Sequence, residues 1–220
     1  MMLKQLREAM ADRPQLGLCA MYPAEGIIER IGADWDWLWV DGQHGELGYN
    51  DVLAAVRAGE RIGRPAVVRV PGHDPGAIGR SYGGRRPIDL FGRGYANPDQ
   101  PQPLLICQIE TPEGLANAEA IAAVEGVDVV FFGPDDMALR EGLPMDAARP
   151  QGHFDEAHRR VAAAARAHGK HAGGVFVTPQ AMCFAAEAGY RLVVCTADVM
   201  LLAEASKMKS EALRGALAAG

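Results

Sequence analysis

Polar side chains follow apolar runs at several separate places in this 220-residue sequence. His44 follows one run, Arg69 ends another, and Glu110 and Asp136 follow two more. Carboxylates without nearby cysteine or histidine ligands suit a hard divalent cation such as Mg²⁺ or Mn²⁺. A histidine can serve as a general base, and an arginine can bind an anion. The set predicts chemistry on a small anionic ligand if the fold brings these residues together.

Each of these residues also has an ordinary structural interpretation. Glu110 could cap a helix or join an ion pair, and His44 could be a loop histidine that faces solvent. One of Asp135 and Asp136 is expected to cap the helix that begins there, while the other faces the metal. Burying Arg69 after an apolar run is costly without an anionic partner, which an anionic ligand would provide.

Short apolar runs alternate with longer alanine-rich helical patterns along the whole chain. The runs predict strands at residues 16–22, 35–42, 65–71, 103–110, 127–134, 171–177 and 191–198. The helical patterns lie at residues 24–32, 49–63, 114–124, 155–169 and 180–189. Helices are expected to end at glycines in a left-handed conformation, namely Gly32, Gly63, Gly126, Gly169 and Gly189.

Continuous apolar strands that alternate with helices indicate a parallel sheet covered by helices, which is the α/β class. No glycine-rich phosphate loop follows the first strand, which argues against an open dinucleotide-binding sheet. Polar residues instead follow many different strands, as in the active site of a barrel. We therefore predict a (β/α)8 TIM barrel that forms a single domain over residues 1–220, with a C-terminal helix at about 199–217.

The predicted barrel is one unit short. Only seven strands are found where closure needs eight. The helix that begins at Asp74 is too short for a parallel crossover, which needs about a dozen residues or more. We predict that a βα unit of about 30–40 residues is missing between Arg80 and Ser81, which would bring the chain to the typical barrel size.

Composition excludes several classes of partner. Hydrophobic residues make up 49% of the chain, charged residues 23%, and the net charge is -6. This balance gives no reason to expect binding to nucleic acid or to an anionic membrane. The four cysteines are widely spaced and predict reduced thiols in a cytoplasmic protein. Four histidines are interpreted as solvent-facing loop residues: His153, His158, His168 and His171.

Four sequence segments carry a family resemblance: DWLWVDGQHG, PAVVRVPGHDPGAI, ICQIETPEGLAN and VEGVDVVFFGPDDM. They resemble the HpcH/HpaI aldolase and citrate lyase family, the class II pyruvate aldolases such as 4-hydroxy-2-oxoheptanedioate aldolase. The resemblance implies a pyruvate-type barrel that binds a divalent cation (Mg²⁺, Mn²⁺ or Co²⁺) through Glu110 and Asp136. It also implies that the substrate is bound by Gln108, Pro134, Asp135, Asp136 and Val175.

The resemblance further implies a carbon–carbon lyase that reversibly cleaves a 4-hydroxy-2-oxo acid to pyruvate and an aldehyde. His44 would be the base, and Arg69 would donate hydrogen bonds to the developing oxyanion. Two departures from the family pattern stand out. Gln43 replaces the usual glutamate, which removes a negative charge near the metal. The aspartate that pairs with the family's histidine, shortly after the position of Arg80, has no counterpart.

The expected partners are small molecules and further copies of the chain. In the resembled family the C-terminal helix packs on a neighbouring subunit, which implies a homohexamer arranged as a trimer of dimers. Two other functions stay open. One is a citrate lyase β-like or malyl-thioester lyase, and the other is a barrel that binds a 2-oxo acid without turnover.

Overall fold

A computed structural model of the protein describes residues 2–70, 104–143 and 152–218. Strands and helices alternate along these residues, which confirms the α/β class. The strands are β1 (Gln15–Ala20), β2 (Trp37–Asp41), β3 (Ala66–Arg69), β4 (Ile106–Ile109), β5 (Val129–Phe132), β6 (His171–Val175) and β7 (Tyr190–Ala197). The helices are α1 (Met2–Asp12), α2 (Glu25–Ile31), α3 (Tyr49–Arg61), α4 (Pro112–Ala116), α5 (Ala118–Ala122), α6 (Pro134–Arg140), α7 (Asp155–Ala167), α8 (Pro179–Ala188) and α9 (Asp198–Ala218).

The seven strands predicted from the sequence are all present, with bounds that are shorter or, for β7, shifted by one residue. An eighth strand is not found within the described residues. The predicted missing segment between Arg80 and Ser81 lies outside the described residues. Among the helices within these ranges, none combines the length and apolarity needed to cross a membrane.

The chain packs as two units. Within the described residues, the first unit contains everything up to Leu16 together with residues 104–195. The second unit contains residues 17–70 and the chain from Thr196 onward. Each unit has its own apolar core, built around Phe132 and Val161 in the first and around Leu38 and Val40 in the second.

The strands within each unit are parallel. In the second unit their order is β3-β2-β1, and Asp41 at the end of β2 is in register with Arg69 at the end of β3. In the first unit the order is β7-β6-β5-β4, and Ile109 is in register with Phe132. Because the strands run in parallel, the residues that follow them meet at one edge of each unit.

Two glycines allow bulky aromatic side chains to be buried in these strands. A Cβ atom on Gly17 would overlap the ring of Trp37, the neighbouring residue on β2, which is fully buried. A Cβ on Gly173 would lie 2.5 Å from the ring of Phe131 on β5. Close packing of this kind leaves no room for even one added methyl group.

Three of the five predicted glycine helix ends are confirmed, whereas Gly126 lies beyond the end of α5, whose C-cap is Ala123. Gly63, Gly126, Gly169 and Gly189 all have positive φ, the conformation that glycine adopts at little cost. The prediction for Gly32 is wrong, because its φ is -67° and the chain continues into the 3-10 helix Gly32–Asp34. Glycine is needed there for space, since a Cβ would lie 2.9 Å from the side chain of Ile62.

The helical pattern at residues 114–124 forms two short helices, α4 and α5, rather than one. They meet at Asn117, which has φ -98° and ψ 13°. Helix α4 begins early because Thr111 accepts a hydrogen bond from the backbone of Gly114 at 2.9 Å, with Pro112 in the first turn. This start fixes where the chain leaves β4, directly after Glu110.

Candidate active site

Glu110 in the first unit lies against the backbone at the end of the neighbouring strand. It directly follows β4, and the backbone of Gly133 after β5 donates a hydrogen bond to Ile109 at 3.0 Å. A Cβ on Gly133 would lie 2.6 Å from Oε1 of Glu110. Gln108 donates from its side-chain amide to the same Oε1 at 2.8 Å. Glycine at 133 therefore leaves the space that the Glu110 carboxylate occupies.

Asp135 and Asp136 lie in the first turn of α6, where negative charge is favourable. The prediction that one of them caps this helix is wrong. The capping position belongs to Gly133, because Pro134 starts the helix directly after the glycine. Asp135 is exposed and Asp136 is partly buried.

Both candidate metal ligands thus belong to one unit and follow the adjacent parallel strands β4 and β5. Their carboxylate oxygens are the donor type that hard divalent cations prefer, and Gly133 provides the space beside Glu110. Within the described ranges, no group of three or more histidine, cysteine, aspartate and glutamate side chains is arranged to hold a metal ion. A cation held by two carboxylates would therefore need water or substrate oxygens to complete its coordination.

Val175 ends β6 in the same unit. It pairs with Val194 of β7, and it is partly buried. The chain then turns into α8 through Thr178, which caps that helix by accepting from the backbone of Ala181 at 3.2 Å. Gln108, Glu110, Asp136 and Val175 therefore come from the ends of three parallel strands, β4, β5 and β6.

Arg69 in the second unit has a partner within the protein. Its Nε donates to Oδ1 of Asp41 at 2.9 Å, and its Nη2 donates to Oδ2 of the same carboxylate. The guanidinium carbon also lies 5.6 Å from the ring centroid of Trp39. An anionic ligand was expected to offset the buried charge, but Asp41 does so because the parallel register places it directly opposite Arg69.

His44 lies in the turn that follows β2. Its side chain is exposed, and its backbone donates to Oδ1 of Asp41 at 2.9 Å. The backbone of Gln43 donates to the same oxygen at 3.0 Å. Burial raises the pKa of Asp41, but the hydrogen bonds from Arg69 and from these two amides outweigh it, so the pKa lies below its ordinary value of 3.8.

Asp198 is a second buried carboxylate that supports this turn, and the sequence analysis did not identify it. It is 1% exposed and accepts hydrogen bonds at 3.1 Å from the backbones of Met21 and Tyr22. The carbonyl of Met21 in turn accepts from the backbone of Glu46 at 2.8 Å. Its position at the end of β7 is the feature by which the sequence could have identified it.

The interpretation of His158 as a solvent-facing residue is wrong. It lies on α7, 8% exposed, and its ring packs among three phenylalanines and Tyr190. Its Nδ1 lies 2.9 Å from the hydroxyl of Tyr190, and burial lowers its pKa to about 4. His171 is half-buried on β6, and burial lowers its pKa as well. His153 is exposed, as expected.

Sequence comparison identifies the family to which the chain belongs. The profile of the HpcH/HpaI aldolase/citrate lyase family matches residues 81–205, more than half of the chain. The chain belongs to this family. It is therefore a lyase of the aldolase type that acts on 2-oxo acids, as the four sequence segments indicated.

Three proteins illustrate the similarity. A 4-hydroxy-2-oxovalerate aldolase of Novosphingobium aromaticivorans is 34% identical over 180 aligned positions, which cover 64% of this chain and 69% of the relative. The crystal structure of a family protein from Burkholderia cenocepacia J2315 is 27% identical, with a TM-score of 0.81 over 96% of this chain and 99% of that chain. A citrate lyase beta subunit from M. tuberculosis, solved with oxaloacetate and magnesium, shares the fold at 17% identity and a TM-score of 0.62, over 87% and 93% of the two chains.

The aldolase match also bears on chain length. Its 180 aligned positions cover 64% of this 220-residue chain, which is about 141 residues. About 39 positions of the relative therefore have no counterpart here. The family profile begins its match at residue 81, directly after Arg80.

Proposed function

We propose that this protein catalyses the reversible aldol cleavage of a 4-hydroxy-2-oxo acid to pyruvate, or a close 2-oxo acid, and an aldehyde. One observation carries the proposal most directly. Glu110 lies beside Gly133 at the ends of two adjacent parallel strands, where an aldolase of this family would place its divalent cation. The magnesium and oxaloacetate in the solved citrate lyase beta subunit support a cation and a 2-oxo acid ligand.

Glu110 and Asp136 would hold the divalent cation, which supplies Lewis acid stabilisation of the enolate, worth several kcal/mol. Gln108 would orient the Glu110 carboxylate through its amide, in the hydrogen bond already formed between them. The backbone at Asp135 would bind the substrate carboxylate, and Pro134 and Val175 would line the pocket. These roles follow the resemblance and the positions of the residues at the strand ends.

His44 would remove a proton from the methyl carbon of pyruvate in the synthetic direction, and return it during cleavage. Its exposed position after β2 leaves the ring accessible to solvent. Arg69 would donate hydrogen bonds to the oxygen that becomes negative during the reaction. Because Asp41 holds the guanidinium in place, little reorganisation is needed when that charge develops.

Exchange of the methyl protons of pyruvate with deuterated water tests the proposal. The exchange needs only the cation, the base and enolate stabilisation, and no aldehyde. We expect exchange in the presence of Mg²⁺, Mn²⁺ or Co²⁺, monitored by proton NMR, and no exchange after chelation. The absence of exchange with all three cations would contradict an aldolase function.

A second candidate is a family member that binds a 2-oxo acid without turnover. It would be favoured if the protein truly lacks the positions that have no counterpart here. We propose instead that the working polypeptide contains a further βα unit between Arg80 and Ser81. The roughly 39 unmatched positions of the relative fit one such unit of about 30–40 residues. Intact mass spectrometry distinguishes the two, because a mass of 23.5 kDa would exclude the extra unit and favour the binding function.

We also propose that α9 mediates assembly into a homohexamer. Five large apolar side chains on this helix are exposed in the single chain: Met200, Leu202, Met208, Leu213 and Leu217. Exposed apolar surface of this kind commonly marks a subunit interface. Light scattering should give the mass of an oligomer, and a monomer at micromolar concentration would contradict the proposal.

A further inference from the structure

We propose that Asp41 is a positioning residue that holds Arg69 and His44 as one unit, so that its charge sustains turnover rather than substrate binding. The inference rests on the proposed function, in which Arg69 and His44 serve the reaction. It goes beyond that function because it assigns a role to a buried carboxylate that does not itself contact the substrate.

Asp41 fixes the geometry of the Arg69 guanidinium. Asp41 and Arg69 are register partners on parallel strands, and two nitrogens of Arg69 donate to the two oxygens of Asp41. The side chains are 3% and 12% exposed, so solvent screens this pair poorly. The ring of Trp39 lies beside the guanidinium carbon. A bidentate pair of this kind sets the plane of the guanidinium as well as its position.

Asp41 also fixes the shape of the turn that carries His44. Oδ1 of Asp41 accepts hydrogen bonds from Arg69 and from the backbones of Gln43 and His44. The turn is closed further by Gly45, whose backbone donates to the carbonyl of Asp41 at 3.1 Å. A Cβ on Gly45 would overlap that carbonyl, so the turn has no room for a side chain at this position.

Loss of Asp41 would affect turnover more than substrate binding. Without the carboxylate, Arg69 keeps its charge but loses the partner that fixes its plane, and the His44 backbone loses its acceptor. Groups that stabilise a transition state must be held close to their working geometry, and a displacement of about 1 Å can cost about 10²-fold in rate. In the proposed function the substrate is bound mainly through the cation ligands Glu110 and Asp136, so KM should change little.

Asp128 provides a matched control. It also pairs with an arginine through two hydrogen bonds, from Nε and Nη2 of Arg7 at 3.3 and 3.1 Å. It accepts from a backbone amide as well, that of Leu105 at 2.9 Å. However, Asp128 lies just before β5, at the amino end of the strand, where barrel enzymes do not place catalytic residues.

The experiment measures kcat and KM for pyruvate proton exchange in Asp41→Asn, Asp128→Asn, Arg69→Lys and the double variant of Asp41 and Arg69. We expect Asp41→Asn to lower kcat by about 10²-fold, and Asp128→Asn to leave it unchanged. Because Asp41 acts partly through Arg69, the double variant should lose clearly less than the product of the two single losses, of which Arg69→Lys alone is about 10²–10³-fold. Asp128→Asn shows the loss that a merely structural pair of the same kind produces.

Three results would overturn the proposal: near wild-type kcat in Asp41→Asn, an equal loss in Asp128→Asn, or a double-variant loss that equals the product of the single losses. If the wild-type protein shows no exchange, the proposed function fails and the inference falls with it. If Asp41→Asn does not fold, Gly45→Ala decides, since it displaces the His44 turn without removing a charge. We expect a kcat at least about 10-fold lower for Gly45→Ala, and an unchanged kcat would overturn the proposal.

Discussion

Asp41 and Glu110 are both carboxylates at the carboxyl ends of parallel strands, but the protein surrounds them differently. Asp41 is 2% exposed and is paired with the guanidinium of Arg69 and two backbone amides. Glu110 is partly buried and accepts a hydrogen bond from the neutral amide of Gln108. The negative charge of Asp41 is balanced by the guanidinium of Arg69. The carboxylate of Glu110, in contrast, accepts a hydrogen bond from a neutral donor, the amide of Gln108.

The difference shows that position at a strand end does not decide the role of a carboxylate. The Asp41 carboxylate accepts four hydrogen bonds from protein groups, so we assign it the role of holding those groups. The Glu110 carboxylate lies beside a neutral amide and a glycine, and its oxygens are of the donor type that hard cations prefer. Each of the following predictions changes one side of this comparison.

The largest expected effect is on the Glu110 side. Glu110→Gln keeps the size of the side chain but removes the charge that would bind the cation. Because Lewis acid stabilisation is worth several kcal/mol, we expect pyruvate proton exchange to fall by at least about 10³-fold. Chelation of the wild-type protein should abolish exchange, and Mg²⁺, Mn²⁺ or Co²⁺ should restore it. Glu113→Gln, an exposed neighbour on α4, should leave exchange intact, and full activity of the metal-free wild type would refute the prediction.

The next effect is on the Asp41 side. Arg69→Lys retains a positive charge but replaces the planar fork with a point charge, which cannot donate to Asp41 and to a developing oxyanion in fixed directions. We expect kcat to fall by about 10²–10³-fold, the usual cost of losing one oxyanion donor. Steady-state kinetics of exchange provide the measurement. Arg7→Lys, which changes the pair with Asp128, is the control, and equal losses in both variants would mean that Arg69 has only a structural role.

The sequence predicted the strands, the fold class and the residues at the strand ends because these depend on local apolar patterns and on parallel order. It did not predict that Asp41 pairs with Arg69. That pairing depends on the register between β2 and β3, which a single sequence does not specify. The role of Asp198 was not predicted for a similar reason, because the backbone amides that it binds lie more than 170 positions away in the chain.

Two errors in the sequence analysis have the same physical origin. Gly32 was expected to adopt positive φ, and His158 was expected to face solvent, because glycine at a helix end and histidine outside an apolar run usually do so. In the structure both residues are determined by tertiary packing, Gly32 by the side chain of Ile62 and His158 by the surrounding aromatic rings. Such packing partners come from distant parts of the chain, so local patterns do not contain them.

Gly133→Ala tests the proposed cation site at Glu110 without changing any charge. The new Cβ would lie 2.6 Å from Oε1 and 2.7 Å from Cγ of Glu110, so this flexible side chain must move away. We expect stability to change little but affinity for Mn²⁺ to fall by about 10–100-fold, as when a metal ligand loses its support. Calorimetric titration measures the affinity. Gly26→Ala, where a Cβ has nothing within 4 Å, should bind Mn²⁺ normally, and normal binding by Gly133→Ala would place the cation elsewhere.

The smallest effect concerns stability rather than activity, and it contrasts the two units in acid. Burial lowers the pKa of His158 in the first unit from 6.5 to about 4, so the unfolded chain takes up this proton at a higher pH than the folded chain. The contribution of neutral His158 is therefore complete above pH 6.5 and is lost as the pH falls towards 4. The pKa of Asp41 lies below 3.8, so its pair with Arg69 keeps its charges throughout this range.

We therefore expect the unfolding free energy of the wild-type protein to fall between pH 6.5 and pH 4 by about 3 kcal/mol more than that of His158→Phe. Urea titrations at several pH values measure the difference. Phenylalanine fits an aromatic environment, and the Tyr190 hydroxyl can still donate to the carbonyl of residue 158, a bond of 3.1 Å in the structure. His153→Gln, at an exposed position, should retain the wild-type dependence. If His158→Phe loses stability in acid as steeply as the wild type, groups other than His158 determine the acid sensitivity of the first unit.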